Sequence, residues 1–330
     1  MIDTTDRADL NPRDLGPGEP GLVSIIIPTY KRPDDLRKAV ESGLAQTYDH
    51  IEIVVVSDGP DPAARAAVEG IDPRVHYAEL SSNRGPAAAR NEGVVLSRGE
   101  WLTFLDDDDL ILPGKIEKQL ALTDRNSPRM MISCQAIYRA QGKDNIHPER
   151  PIGPSEDVAD YILLRPSLTR RPGVLPLQSL LVHRSLLKEV PFTTHADHED
   201  WSWLLEAWHL AGARVKFAWE PLVVYNIVVD SISRSRRTNW KDSLEWAQQY
   251  RRWIGDRAFA SFLSTKVALK AKRSQDKGAL QQIGRLVMAS RPGWLELAFL
   301  AGIWLLPGQV LHHLWKKSLE SSHQAGQTAS

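Results

Sequence analysis

Four short apolar runs in the first third of the chain each stop at polar residues, and the first three lead on into a helical pattern. Val23-Ser24-Ile25-Ile26-Ile27 ends in Pro28-Thr29-Tyr30, and Pro33 with Leu36, Val40 and Leu44 at four-residue spacing then marks a helix opened by proline. A run over 51–56 stops at Ser57-Asp58-Gly59-Pro60 before a helix over 62–68. A short strand over 75–78 precedes the turn Asn83-Arg84-Gly85-Pro86 and a helix over 87–96, and Trp101-Leu102-Thr103-Phe104-Leu105 runs straight into Asp106-Asp107-Asp108-Asp109. Strands alternating with helices of about ten residues dictate an α/β fold with a mostly parallel sheet flanked by helices, whose ligands bind outside the carboxyl ends of the strands. Thr29, Tyr30, Asp58 and the Asp tetrad all fall at such ends, so one cleft gathers them.

The tetrad is the sharpest chemical signal. Two carboxylates about 4 Å apart repel by about 4 kcal/mol at an effective dielectric near 20. A cluster of them therefore calls for protonation, basic partners or a cation, and a divalent metal is the simplest answer. Mg²⁺ and similar hard cations keep waters and share their shell with substrate phosphates, so one or two aspartates on a loop suffice. The other reading is a solvated acidic turn that caps a helix starting near Pro113.

A nucleotide is the natural occupant, yet neither of the usual phosphate cradles is present. The first strand runs into Pro-Thr-Tyr-Lys-Arg rather than Gly-x-Gly-x-x-Gly, and no Gly-Lys-Ser/Thr follows a strand. A dehydrogenase or P-loop enzyme is thereby disfavoured, and a diphosphate would be held by the metal and by basic side chains such as Lys31, Arg32, Arg84 or Arg90.

Five segments in order, Ser24 to Tyr30, Val55 to Gly59, Asn83-Arg84-Gly85 with Ala89-Arg90-Asn91, Phe104 to Asp109, and His198-Glu199-Asp200-Trp201, resemble those of family 2 glycosyltransferases of the GT-A fold. The resemblance covers about residues 23–226. It implies a Rossmann-like GT-A sheet in which Thr29, Tyr30 and Asp58 contact the base and ribose of a nucleotide-sugar and Arg32 and Arg90 belong to the same donor site. It maps an Asp-x-Asp motif onto Asp106 and Asp108 as ligands of Mn²⁺ or Mg²⁺, with Asp107 facing the ribose or donor sugar. Asp200 is implied as the general base of an inverting transfer, with Glu199 and Trp201 beside the acceptor, and Gln178 and Ser179 as contacts to the sugar. UDP is the nucleotide the resemblance favours.

The chemistry asks for such a base, because an acceptor hydroxyl attacking an anomeric carbon must lose its proton. Asp197 to Trp203 opens a helical pattern, where the helix dipole also favours carboxylates, so an acidic helix start capped by Asp197 is the competing reading. His198-Glu199 followed by Ser202 breaks the His-Glu-x-x-His zinc signature, and His195 and His198 read as packing or solvent residues. Two rival functions remain: a nucleotide-sugar-binding protein without catalysis, and a sugar-1-phosphate nucleotidyltransferase, which lacks support because no Gly-rich basic loop follows the first strand.

Lys and Arg number 41 and Asp and Glu also 41, so no overall field draws the chain to nucleic acid or to a membrane. Cys134 is the single cysteine and excludes an intrachain disulfide. Residues 1–20 lack an apolar core and read as a disordered segment rather than a leader. A catalytic domain is expected over 21–230, with a nucleotide-sugar half at 21–125 and an acceptor half at 126–230. Within it a strand is expected at 130–133, an exposed loop at 141–155, and a strand over 177–183 before a helix at 185–189. A basic connection at 231–237 leads into a helix over 240–272, within a helical extension at 231–317, and 318–330 is a flexible tail. The apolar stretch 294–306 contains Glu296 and is broken by Pro307-Gly308, which is too short for a transmembrane span. Trp294, Trp304 and Trp315 with the lysines beyond suit interfacial helices on a membrane surface, as an enzyme acting on lipid-linked saccharides would need. A hairpin packed on the catalytic domain or on a second copy is the alternative, and the oligomeric state stays open. The expected location is cytoplasmic, at most peripheral on the inner face of the plasma membrane.

Overall fold

The computed structural model describes residues 12–124, 127, 129–140, 142–193, 198–227 and 239–306. Expectations for residues 1–11, His195, Asp197, 231–237, Trp315 and the tail lie outside the described residues. The chain divides into two units, one of 1–151 with 175–227 and one of 152–174 with 228–330.

The first unit is built on a sheet of nine strands: β1 (Glu19–Thr29), β2 (Ile51–Ser57), β3 (Val75–Glu79), β4 (Gly99–Phe104), β5 (Leu110–Ile111), β6 (Met130–Ala140), β7 (Lys143–His147), β8 (Leu181–His183) and β9 (Arg214–Asn226). Their order is β3-β2-β1-β4-β8-β6-β9-β5, with β7 beside β6. The first four strands are mutually parallel; β8 runs antiparallel to β4, and β6 and β9 are parallel to each other. The expected α/β architecture is thus present, with an antiparallel strand inserted at the centre.

Helices α1 (Pro33–Leu44), α2 (Pro62–Val68) and α3 (Pro86–Leu96) follow the first three strands. Leu36, Ala39, Val40 and Gly43 of α1 are buried in the same core as Ile25, Ile27 and Ile53. β1 is fully buried from Leu22 to Thr29 because both sheet faces are covered, which is why its sequence is a continuous apolar run. Helix α3 lies so close to β1 that a Cβ at Gly93 would sit 2.4 Å from Ile26 Cγ2. Glu52, on a strand otherwise apolar, is only 1% exposed and is satisfied by Ser24 Oγ at 2.7 Å and by the Arg98 backbone N–H and Nε at 2.5 and 3.0 Å.

Further along this unit come α4 (Lys115–Leu120), and α6 (Arg184–Glu189) and α7 (Glu199–His209) after β8; α5 (Val158–Leu163) belongs to the second unit. Two local expectations change. The loop expected at 141–155 begins as a hairpin, because Gly142 takes φ +75 and Arg139 makes two 2.9 Å bonds to Asp144 across the β6–β7 pair. The strand expected over 177–183 begins as a 3-10 turn, Leu177–Ser179, after Pro176, and only then becomes β8.

The second unit is helical: α5, α8 (Trp240–Gln249), α9 (Asp256–Phe262), a π-helical turn Leu263–Val267, α10 (Ala268–Arg273), α11 (Lys277–Ala289) and α12 (Trp294–Leu305). The single helix expected over 240–272 is interrupted between α8 and α9, with Gly255 at the N-cap of α9. No helix among the described residues is long and apolar enough to cross a membrane.

Candidate active site

Three parallel strands bring their carboxyl ends together on one edge of the sheet. At the end of β1, Thr29 Oγ1 donates to Asp107 Oδ2 at 2.7 Å, and Tyr30 stands 38% exposed with Lys31 Nζ 5.1 Å from its ring centroid. At the end of β2, the buried Asp58 carboxylate accepts the backbone N–H groups of Arg84 at 2.6 Å and Gly85 at 2.9 Å. Gly85 holds φ +91 at the start of α3, a conformation glycine adopts without steric cost. Asp58 thus fixes the loop that aims α3 and Arg90 at the end of β4.

The four aspartates alternate. Asp106 and Asp108 are partly open, with side chains 33% and 19% exposed, whereas Asp107 and Asp109 are buried. Each has an internal partner. Arg90 Nη2 reaches Asp106 Oδ1 at 2.9 Å, and Arg32 Nη1 reaches Asp107 Oδ1 at 3.0 Å and Asp108 Oδ2 at 2.5 Å. Asp109 accepts from Gln178 Nε2 and from the Asn226 backbone N–H. Asn226 Nδ2 adds a 2.7 Å bond to the Asp108 carbonyl, tying the end of β9 to the tetrad.

Arg90 is the hub. Its other terminal nitrogen, Nη1, lies 3.5 Å from both Glu199 Oε2 and Asp200 Oδ1 at the first turn of α7. That helix starts without a side-chain cap at His198, whose φ of +58 turns the chain inward. His198 stacks on Trp201 with ring centroids 4.8 Å apart. One buried guanidinium therefore joins the tetrad to the second acidic segment, with Glu199 93 residues further on than Asp106.

The electrostatics follow from six clustered carboxyls and two guanidiniums, which contact five of them. Burial pushes Asp107 up to about 6 against the pull of Thr29 and Arg32, and burial with the Asp106 charge pushes Asp109 up to about 8. Glu199 rises to about 7, through burial opposed by Arg90. Asp200 is also raised, by enclosure in surrounding protein and against Arg90, although its carboxylate remains 41% exposed. It is the most open member of the group in contact with Arg90. Arg90 itself is buried, which disfavours its charge, but Asp106, Asp200 and Glu199 outweigh that and hold it protonated.

Comparison with known proteins identifies the family and covers the first four of the five segments, not the one at 198–201. Residues 24–190 match the sequence profile of Glycosyl transferase family 2, which is half of the chain. An "uncharacterized glycosyltransferase" of Haemophilus influenzae is 30% identical over 188 residues, covering 56% of this chain and 71% of that one. The chain belongs to glycosyl transferase family 2. The succinoglycan biosynthesis protein ExoO of Rhizobium meliloti is 34% identical over 122 residues, which cover 37% of this chain and only 35% of ExoO. Among solved structures, S. aureus TarS 1-349 in complex with UDP-GlcNAc superposes with a TM-score of 0.58 at 18% identity, covering 80% of this chain and 81% of that one. That likeness shows a shared fold.

For a family 2 glycosyltransferase, the question posed by the tetrad is what balances its charge. Among the described residues no three Asp, Glu, His or Cys side chains come together to hold a metal alone. The donor set still fits Mg²⁺ or Mn²⁺, since Asp106 and Asp108 offer hard oxygens at the open side of a cluster with surplus negative charge, and substrate phosphates and water can complete the shell. Arg90 Nε is buried without a partner, a donor left over on the same wall.

Thr29, Arg32, Arg90, Asp106, Asp107, Asp108, Glu199 and Asp200 are thus brought into one connected network, and Tyr30 lies beside Gly59 at its edge. Gln178 and Ser179 are placed inside the protein: Gln178 binds Asp109, while Ser179 Oγ donates to the Pro176 carbonyl at 2.7 Å and pairs with Ser133 Oγ. The sequence reading missed Asp109 and Asn226 as the anchor of β9, and also missed Tyr225. Burial raises the Tyr225 hydroxyl strongly, and Asp106, Asp109 and Asp200 add to the rise. Tyr225 stacks on Tyr138 at 4.9 Å. The apolar run over 222–225 was its available signal.

Proposed function

We propose that this glycosyltransferase moves a sugar from a nucleoside-diphosphate sugar, a UDP-sugar, to a hydroxyl of a cell-surface glycan or a lipid-linked saccharide precursor, with inversion at the anomeric carbon. The observation that carries the reading is the position of Asp200. It is the open carboxylate at the start of α7 and one guanidinium away from Asp106. Thr29, Tyr30 and Asp58 border the cleft where base and ribose would lie, as the family resemblance suggests. TarS, with the same fold, has been solved with UDP and with UDP-GlcNAc, which supports the choice of nucleotide.

In this mechanism the acceptor hydroxyl gives its proton to Asp200 as its oxygen bonds to the anomeric carbon. The bond from that carbon to the diphosphate breaks with its electron pair on the leaving oxygen, and nucleoside diphosphate departs. Arg90 keeps Asp200 oriented and offsets the charge of Asp106. Asp106 and Asp108 would hold Mn²⁺ or Mg²⁺, which when bound offsets charge on the leaving diphosphate. A single displacement at one face gives inversion. A cytoplasmic site of action agrees with the use of such donors.

The test begins with calorimetric titration of UDP, with GDP as control, with and without Mn²⁺. Metal-dependent UDP binding is expected. Asp200→Asn should keep that binding and lose transfer by about a thousandfold, within the range a general base contributes. Undiminished transfer by the variant would sink the assignment of Asp200, and undiminished UDP binding without metal would sink the metal-bridged donor.

A further inference from the structure

Helix α12 carries an apolar face with nothing packed on it among the described residues. Trp294, Leu297, Ala298, Ala301, Trp304 and Leu305 are exposed and recur at three- and four-residue steps, while Leu295, Glu296 and Ile303 are buried on the opposite side. Trp294 is 67% exposed, Trp304 44% and Leu305 81%. Glu296, which from sequence seemed to put a charge on this stretch, is turned inward. It accepts the Gly293 backbone N–H at 2.7 Å, and its carboxylate lies 3.7 Å from Arg257. The exposed face is therefore free of acid.

Cations stand on the segments that adjoin this helix in the chain or pack against it. On α11, Arg285 and the 60% exposed Met288 lie one turn apart, and Arg291 is exposed at the bend into α12. Arg165 stacks on Phe299 of α12 at 4.8 Å, and the π-helical turn that carries Lys266 packs against the same helix. Lys266 is exposed yet crowded by protein; that crowding, then the like charges of Arg171, Arg165 and Lys270, lowers its pKa to about 8. Arg285, Arg291 and Lys266 make no ion pair among the described residues. The described part of this unit holds 14 Lys and Arg against 8 Asp and Glu.

We propose that this face of α12, with Met288, Arg285, Arg291 and Lys266, docks the chain on an anionic phospholipid surface. Trp294 and Trp304 are ten residues, or about 15 Å, apart along the helix axis, against a hydrocarbon core of about 30 Å. The helix therefore lies in the interface rather than across it, with tryptophans at the level where their rings are favoured. Basic residues beside an apolar helix match the negative potential of anionic lipid. The same excess charge works against a second copy of this unit as the covering partner, since two such surfaces repel. The proposal stands apart from the assignment of donor and base, and enlarges it by saying where an acceptor carried on lipid would be met.

The full chain should be sedimented with vesicles of phosphatidylcholine alone and with vesicles of equal parts phosphatidylcholine and phosphatidylglycerol. Strong binding to the mixed vesicles, weak binding to the neutral ones and release by salt are expected. Arg285→Glu, Lys266→Glu and Arg291→Glu together should weaken binding by about a hundredfold, at about a fivefold effect per basic residue lost. Trp294→Ser with Trp304→Ser should abolish insertion, read as loss of the blue shift of tryptophan fluorescence. Both variants alter exposed residues and should keep the circular dichroism and UDP affinity of the parent. Equal binding to both vesicles, or no binding to either, would overturn the proposal. So would light scattering that shows a dimer dispersed by the tryptophan changes, because the face would then be an interface between copies.

Discussion

The two units handle charge in opposite ways. The described part of the site-bearing unit has 20 Lys and Arg against 27 Asp and Glu, and five of those acids contact Arg32 or Arg90. The described part of the helical unit is basic, 14 against 8, and gathers Arg165, Arg171, Lys266 and Lys270 in one place. A chain with zero formal charge thus carries two local fields that cancel only in the sum. The first attracts cations and, through them, phosphates; the second attracts an anionic surface. The expectation of no overall pull toward a membrane concerns net charge and leaves local fields open, because screening confines such fields to about 10 Å.

The most severe way to break the acidic side of this comparison is to remove its hub. Arg90→Ala leaves Asp106, Glu199 and Asp200 without their shared cation. We expect transfer to fall by about a hundredfold to a thousandfold and stability to fall by about 3 kcal/mol or more, as when one partner of a buried pair is lost. Arg90→Lys should recover part of the stability and less of the transfer, since one ammonium cannot serve three carboxylates as a fork can. Urea unfolding and donor turnover on the same preparations read both. Equal transfer by wild type and Arg90→Ala would mean that the bridge to Asp200 is only structural.

Next comes the alternation within the tetrad. Asp108→Asn should weaken metal-dependent UDP binding by about a hundredfold, while Asp109→Asn should spare the metal dependence and act on stability through the lost anchor of β9. Metal titrations of both variants decide the register. Loss of metal dependence in Asp109→Asn with retention in Asp108→Asn would reverse the inward and outward assignment.

A smaller effect concerns pH. Asp200 must be ionised to accept a proton, and its enclosure lifts it above the ordinary value of 3.8. The acid limb of kcat/KM should therefore lie above that value, with activity falling about tenfold per pH unit below the limb. Arg90 opposes the rise, so Arg90→Lys, with its more diffuse pairing, should move the limb to higher pH. Charge reversal at Arg285, Lys266 and Arg291 should leave it in place, which keeps the two fields separable in one assay.

Much of this arrangement was legible in sequence, and the limits have physical causes. The β1, β2 and β4 cores are continuous apolar runs because both faces of the sheet are covered, so their ends, and the residues there, could be located directly. What could not be read is pairing at a distance. Arg32 meets Asp107 and Asp108 across 75 and 76 residues, and nothing local in Tyr30-Lys31-Arg32 distinguishes that arginine from a surface charge. The anticipated answer to carboxylate repulsion was a metal; the fold adds basic partners for three of the four acids and places Gln178 on the fourth. β9 escaped notice because Pro221 interrupts it and its first half alternates in exposure, and the contribution of 152–174 to the helical unit has no local signature at all.

The least effect is expected at Glu52, at the opposite end of β2 from Asp58, and its sign is the most constrained. Burial alone would raise this carboxyl, but the Arg98 backbone N–H, Ser24 and the Arg98 side chain outweigh it and hold it below the ordinary 4.5. A depressed folded pKa means that the ionised form stabilises the native state above the unfolded value, and that this contribution is lost as pH falls through the folded one. Glu52→Gln removes the charge and turns an amide N–H₂ toward donors, so it should cost about 1.5–3 kcal/mol at neutral pH, the scale of hydrogen bonds to a charged group. The variant has nothing to titrate there. Its deficit relative to wild type should therefore shrink as urea unfolding is repeated at pH values below 4.5, and a deficit that stayed constant with acidity would show that the Ser24–Glu52–Arg98 network stabilises the sheet through packing rather than through its charge.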